Sequence, residues 1–250
     1  MDDRELLYHS AHILLPQMGI EGVERVRGAH VLVIGAGGLG SVVATYLARS
    51  GIGRLTLADN DTVSASNLPR QILYTPEDIG TPKVVAAAGA LARCAPGEIA
   101  VHGERLAGQA LVQAVRHADL VCDASDNFAT RFAVNAACVR EGVPLVSAAV
   151  IRFEGQLLVV DPGTPQAGCY RCLYGDDFSA DEERCAERGV FAPAAGVMGS
   201  LQALAALKMI AGIEEPLARA LLVFDGLAQA SHTIGRKRDP DCPVCGSAAA

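Results

Sequence analysis

Two tight cysteine pairs, Cys169-Tyr170-Arg171-Cys172 and Cys242-Pro243-Val244-Cys245, constrain this chain more than any other feature. A Cys-x-x-Cys loop can aim two thiolates at one tetrahedral cation, and a second such loop completes a closed four-sulfur site. The same spacing serves a redox dithiol or two disulfides. Two pairs together, one of them ending a mostly folded chain, favour a structural Zn²⁺ held by Cys169, Cys172, Cys242 and Cys245.

Around these pairs the chain reads as one α/β domain. Its 250 residues are half apolar, enough to bury a full core and too much for disorder. A net charge of -7 argues against a general nucleic-acid binder and leaves protein and nucleotide partners open. The charged opening Met1-Asp2-Asp3-Arg4-Glu5 precedes no apolar segment of the secretory kind, and no apolar run reads as long and charge-free enough to span a bilayer. Thiols with a metal site fit a reducing cytoplasm better than a disulfide scaffold does.

Residues 1–28 read as an amphipathic helical arm, with Leu6, Leu7, Ile13, Leu14, Val23 and Val26 spaced for one-sided burial around a break at Pro16. Residues 29–150 then alternate. Strands are expected at 30–34, 54–58, 98–102, 120–123 and 144–149, and helices at 41–50, 82–93, 108–117 and 129–140, which implies a doubly wound, Rossmann-like, mostly parallel sheet. Residues 60–80 form a long irregular segment that suggests function. Past residue 150 the rhythm changes to an antiparallel extension, with strands at 156–160 and 221–224, a helix at 199–211 and the zinc loops. Residues 176–189 are expected to be an exposed mobile segment, and 247–250 a frayed tail.

Gly35-Ala36-Gly37-Gly38-Leu39-Gly40 lies where a strand turns into a helix, so Gly35, Gly37, Gly38 and Gly40 allow close backbone approach of an anionic ligand to a helix N-terminus. Asp59, ending the second strand, can accept ribose hydroxyls. Glycines and carboxylate together indicate an adenine nucleotide without separating NAD from ATP. Arg70 and Lys83, flanking the irregular segment, favour a triphosphate, whose negative charge shifts toward pyrophosphate when the α-phosphorus is attacked. Asp126 follows the fourth strand, where a carboxylate can hold Mg²⁺; the alternatives are surface ion pairs for Arg70 and Lys83 and a helix cap for Asp126.

Gly-x-Gly-Gly-Leu-Gly, Asp59, Ser66-Asn67-Leu68-x-Arg70-Gln71, Pro82-Lys83, Ser125-Asp126-Asn127, Gly168-Cys169-Tyr170-Arg171-Cys172 and Cys242-Pro243-Val244-Cys245-Gly246 resemble, over nearly the whole chain, the HesA/MoeB/ThiF family. These are bacterial relatives of ubiquitin-activating enzymes. The resemblance implies a homodimer that uses ATP and Mg²⁺ to adenylylate the C-terminal Gly-Gly carboxylate of a ubiquitin-like sulfur carrier, ThiS-like or MoaD-like, for thiamine or molybdenum cofactor synthesis. A separate donor, a cysteine desulfurase or sulfurtransferase, would supply the sulfur. Ser66, Asn67, Gln71 and Asn127 join the nucleotide site by the same resemblance, and Cys185 matches a cysteine that ThiF-like members are thought to join to their carrier. The family's amino-terminal helix usually carries an Arg resembling an arginine finger given to the partner's ATP. Here that position is Ala11. An NAD-dependent oxidoreductase would share the glycines and Asp59 but leave Arg70, Lys83 and the zinc pairs unexplained, and a catalytically weak carrier-binding relative is the reading that Ala11 motivates.

Overall fold

The computed structural model describes residues 1–175 and 189–246. Apolar runs, buried except in the edge strand β3, form parallel strands β1 (His30–Ile34), β2 (Arg54–Ala58), β3 (Glu98–His102), β4 (Leu120–Asp123) and β5 (Leu145–Ile151). Strands β6 (Glu154–Val160), β7 (Ala220–Asp225) and β8 (Ala230–Gly235) continue the same sheet antiparallel, in the spatial order β3-β2-β1-β4-β5-β6-β7-β8. The order reverses between β1 and β4. Such a switch point opens a crevice at the carboxyl ends of the strands.

Helices cover both faces. On one side lie α3 (Gly19–Gly28), α4 (Gly38–Arg49), α5 (Lys83–Ala92) and the long α9 (Ala192–Ala211); on the other lie α6 (Gly108–Arg116), α7 (Phe128–Glu141) and the short α8 (Tyr170–Leu173). The doubly wound sheet with an antiparallel extension is as the sequence implies. Helix α9 begins two turns before the expected 199–211, because Pro193 occupies its first turn, where a missing N–H costs nothing. Contrary to expectation, α9 is long and apolar enough by length and composition to cross a membrane; it packs instead on α4, β5 and β6, burying Ala195, Met198 and Gln202.

The amino-terminal arm corrects a second expectation. It divides into α1 (Asp3–Tyr8), α2 (Ser10–Ile13) and α3, and only the α3 part buries its apolar stripe, through Val23 and Val26. Leu7 is 76% and Leu14 81% exposed, so one-sided burial within the chain fails for the first two helices. His9 holds the arm to the domain instead. It is buried beneath the turn at Gly51, where a Cβ would lie 2.4 Å from its ring, and Tyr8 donates to the carbonyl of Arg49.

Cys122 and Cys138 are core residues, their thiol pKa values pushed up by burial and then by Asp123. Cys94 is only half-buried, since it follows the last turn of α5.

Candidate functional site

The glycine turn is built by close approach. Gly35 has φ +92°, and a Cβ there would lie 2.7 Å from the carbonyl of Ala124 after β4. A Cβ on Gly40 would lie 1.8 Å from the Gly35 carbonyl, so this residue packs α4 onto the turn and does not itself line the cavity beside it. Asp59 stitches the turn to β2: one oxygen accepts from the Ala36 N–H at 2.7 Å and the other from the Asp61 N–H at 2.8 Å. Each carboxylate oxygen keeps a second lone pair for a ligand. Tyr74, whose hydroxyl donates to the Ala36 carbonyl at 2.7 Å, closes the turn from behind; burial, then Asp59 and Asp78, push its pKa well up.

A cavity of about 730 Å³ opens at this edge of the sheet. Gly35, Gly37, Gly38, Asp59, Asn67, Arg70, Gln71, Lys83, Asp126 and Asn127 all line it, so the structure brings together most of the residues singled out from sequence. Ser66, like Gly40, lies outside the lining: it is exposed, and its carbonyl accepts from Arg70 at 3.1 Å. Cys185 lies outside the described residues, as do 176–188 and 247–250 of the expected exposed segments. Ala11 is exposed on α2, away from this chain's cavity.

Three details of the site went unread in the sequence. Lys83 is buried at the start of α5 and its Nζ donates to Asp61 at 2.7 Å, although Asp61 is itself largely exposed. Asn127, not Asp126, caps α7, accepting from the Thr130 N–H at 2.8 Å, which leaves the Asp126 carboxylate exposed on the cavity wall with the Asn127 amide at 3.4 Å. Gln71 is almost fully buried beside the glycine turn, and its Oε1 has no hydrogen-bond partner. A buried acceptor without a partner at a cavity wall suits a polar ligand.

Further residues complete the wall. Arg131, one turn beyond Asn127 on α7, donates to the Ser125 carbonyl and lines the cavity with Tyr170. Burial would lower its pKa, but Asp123 and then Tyr170 outweigh it and hold the guanidinium above its ordinary value. Asp123, buried, accepts from the N–H and hydroxyl of Ser125 and from Ser147. Tyr170 and Tyr174 line the cavity with ring centroids 4.5 Å apart, and the Tyr174 pKa is pushed up to about 12 by burial, with Tyr170 adding and Arg131 opposing.

The four cysteines of the two pairs meet on the α7 and α8 side of the sheet. Their sulfurs all lie within 4.8 Å of one another, with Cys169 to Cys242 at 3.8 Å and Cys172 to Cys245 at 3.4 Å. These separations are too long for S–S bonds of about 2.05 Å. They approach the roughly 3.8 Å that tetrahedral Zn–S bonds of about 2.3 Å require. The donor set therefore fits zinc. The Asn135 amide donates to Cys169 at 3.5 Å and the Asp239 N–H to Cys172 at 3.4 Å, contacts of the sort that orient metal ligands. Arg236 donates to the carbonyls of Gly168, Val159 and Ala218 and brings its charge near Cys169 and Cys172.

Comparison with known proteins agrees with this geometry. The ThiF family pattern matches residues 9–244. The sulfur carrier protein ThiS adenylyltransferase of Escherichia coli (strain K12) is 45% identical over 247 residues, 98% of this chain and 97% of that protein. The molybdopterin-synthase adenylyltransferase of the same organism is 41% identical over 249 residues, 98% of each. Among solved structures, E. coli MccB with ATP superposes with a TM-score of 0.80 at 27% identity, covering 91% of this chain and 69% of that one.

Proposed function

This chain belongs to the ThiF family and is an adenylyltransferase, and from that premise we propose that it uses ATP and Mg²⁺ to activate the C-terminal Gly-Gly carboxylate of a ubiquitin-like sulfur carrier. The observation that carries the reading is the convergence of the glycine turn, Arg70, Lys83 and Asp126 on one cavity. In the proposed reaction the carrier's carboxylate oxygen attacks the α-phosphorus of ATP. The bond to the β-phosphate oxygen breaks, and pyrophosphate leaves as the acyl-adenylate forms.

The attacking group is already ionised, so no general base is needed, and catalysis rests on positioning and on charge stabilisation. Asp59 holds the ribose, and the N–H groups of the glycine turn face the phosphates. Gln71 offers its unpartnered Oε1 to the same ligand. Arg70 and Lys83 neutralise charge moving onto pyrophosphate, with Lys83 exchanging its Asp61 partner for a phosphate oxygen. Asp126 would hold Mg²⁺, which when bound shields the triphosphate charge. Zn²⁺ on Cys169, Cys172, Cys242 and Cys245 would be structural, because four sulfurs close its coordination and leave no position for substrate.

We further propose a homodimer acting in the cytoplasm. Leu7 and Leu14 on the arm are exposed, as are Val197 and Leu204 one above the other on α9, apolar surface that a second copy would cover. The carrier is ThiS-like or MoaD-like, a separate desulfurase or sulfurtransferase supplies sulfur, and after adenylylation the Cys185 thiolate attacks the acyl-adenylate carbonyl, forming a transient thioester to the carrier as AMP leaves. Carrier-dependent ATP–pyrophosphate exchange tests the central reaction. Lys83→Met and Asp126→Ala should each lower it by about a hundredfold or more with the fold intact, the usual loss for one developing-charge contact. Exchange at the wild-type rate in either variant refutes the assigned role, and thermal protection by NAD but not by ATP-Mg²⁺ refutes the reaction.

A further inference from the structure

Lys83 occupies a position that local rules disfavour. It opens α5, whose first turn carries no acidic residue and whose cap Pro82 makes no side-chain hydrogen bond, so a cation sits at the positive end of the helix dipole. Its side chain is also only 7% exposed. Asp61 offsets both effects. The Asp61 carboxylate accepts from the Lys83 Nζ at 2.7 Å, and the Asp61 carbonyl accepts from the Lys83 N–H at 2.9 Å. The Asp61 N–H in turn donates to Asp59, the carboxylate that stitches the glycine turn to β2. A short ribbon supports the pairing: Thr62 bridges Pro82, and Val63 donates to the Thr81 carbonyl and accepts from the Gly80 N–H. The Asp61 backbone is therefore fixed on both sides, and its carboxylate is the part that can turn away.

The two partners are unequal. The Asp61 side chain is 62% exposed, and it lines the cavity as Lys83 does. Turning that carboxylate into water costs little, whereas leaving a buried ammonium unpaired is strongly unfavourable. The pair therefore lasts only until another anion reaches Lys83. We infer that Asp61 is a positioning residue, the exchangeable counter-ion of Lys83: it holds the ammonium at the cavity wall while the cavity is empty, yields it to a polyphosphate, and takes it back as pyrophosphate leaves. An ordinary surface ion pair has no buried partner facing a cavity. The inference rests on the proposed adenylylation for the identity of the polyphosphate. Displacing Asp61 weakens every ligand that takes Lys83 by about the strength of one hydrogen bond to a charged group, roughly tenfold to a hundredfold in affinity.

Calorimetric titration of the full-length, zinc-loaded protein with pyrophosphate, and separately with ATP-Mg²⁺, reads the exchange of partners with no carrier present. Asp61→Asn keeps the size of the side chain and removes its charge. It should bind both probes at least about tenfold more tightly than the wild type. In the Lys83→Met background the same substitution should change affinity by less than about twofold, since no ammonium is left to release. Unchanged or weaker binding in Asp61→Asn overturns the inference. Tightening of equal size in both backgrounds also overturns it, because that marks plain charge repulsion and not an effect through Lys83. If the unpaired Lys83 leaves Asp61→Asn unfolded, pyrophosphate present during refolding should rescue it, and a variant that pyrophosphate does not rescue overturns the inference as well. Carrier-dependent exchange failing in the wild type while the titrations come out as stated refutes the adenylylation and leaves the counter-ion role standing.

Discussion

Replacing Gly40 by Ala tests how the glycine turn works, because the structure sets the size of the conflict. The added Cβ would lie 1.8 Å from the carbonyl oxygen of Gly35 and 2.7 Å from its carbon, whereas real Cβ contacts below 3.0 Å are essentially never seen. Gly35 cannot retreat. Its φ of +92° and its own close approach to the Ala124 carbonyl pin it against the end of β4. Helix α4 must therefore withdraw, taking the N–H groups at Gly37 and Gly38 with it. Overpacking of this kind costs about 1–3 kcal/mol. At about 2–4 °C per kcal/mol for a domain of this size, Tm should fall by roughly 2–12 °C. Misplacement of about 1 Å at a reacting site costs on the order of a hundredfold, so nucleotide binding and exchange should fall further than stability does. Gly89→Ala, on the exposed side of α5, is the control: nothing lies within 4 Å of its added Cβ, and helix propensity alone should stabilise by about 0.5–1 kcal/mol. Thermal unfolding with calorimetric titration of ATP-Mg²⁺ reads both effects. Wild-type affinity and Tm in Gly40→Ala would refute the close-packing account of the turn.

Three other perturbations have defined outcomes. Cys245→Ser should lose zinc and yield poorly folded protein, since a closed site contributes folding free energy directly; metal analysis showing no zinc in the wild type, with all four thiols freely titratable, refutes the site. His9 has its pKa lowered by burial, then by Arg27 and His12, with Glu5 opposing, so the unfolded chain binds the extra proton first and stability should fall as pH drops below about 6.5; His9→Gln should flatten that slope in thermal unfolding, and parallel slopes would refute the assignment. Ala11→Arg should raise exchange if the arm reaches a partner's triphosphate, and no change in an already efficient enzyme would place another cation there.

The elements legible in the sequence share a physical cause. Strands β2, β3 and β4 match their expected bounds because their apolar, β-branched runs are cut short by turns or polar residues. The edge strand β8, Ala230–Gly235, was not legible, since its exposed Ser231, His232 and Thr233 carry no burial pattern and only the register with β7 makes it a strand. In the site, Asp59, Arg70, Lys83 and Asp126 were legible because nucleotide chemistry dictates residue types at known points of the fold. Asp61, Arg131 and Tyr170 were not. Their places are set by partners that the fold brings to them: Lys83 for Asp61, the Ser125 carbonyl for Arg131, and Asn135 for Tyr170. The arm's exposed leucines failed the one-chain reading for a related reason, because periodicity reports an apolar stripe and not what, if anything, covers it.

The antiparallel extension explains why such distant cysteines can meet beside a nucleotide cavity. Strands β6 and β8 both run antiparallel to β7, with Leu158 opposite Leu221 and Leu221 opposite Ile234, so both end at the same edge of the sheet. The chain leaves β6 toward Cys169 and leaves β8 toward Cys242 from neighbouring points. Arg236, the residue following β8, fastens the two exits by donating to the carbonyls of Val159 in β6 and Gly168 beside the first cysteine. From there Tyr170 turns into the cavity wall against α7, whose cap Asn127 adjoins Asp126. A sheet that stayed parallel past β5 would need a crossover before each added strand.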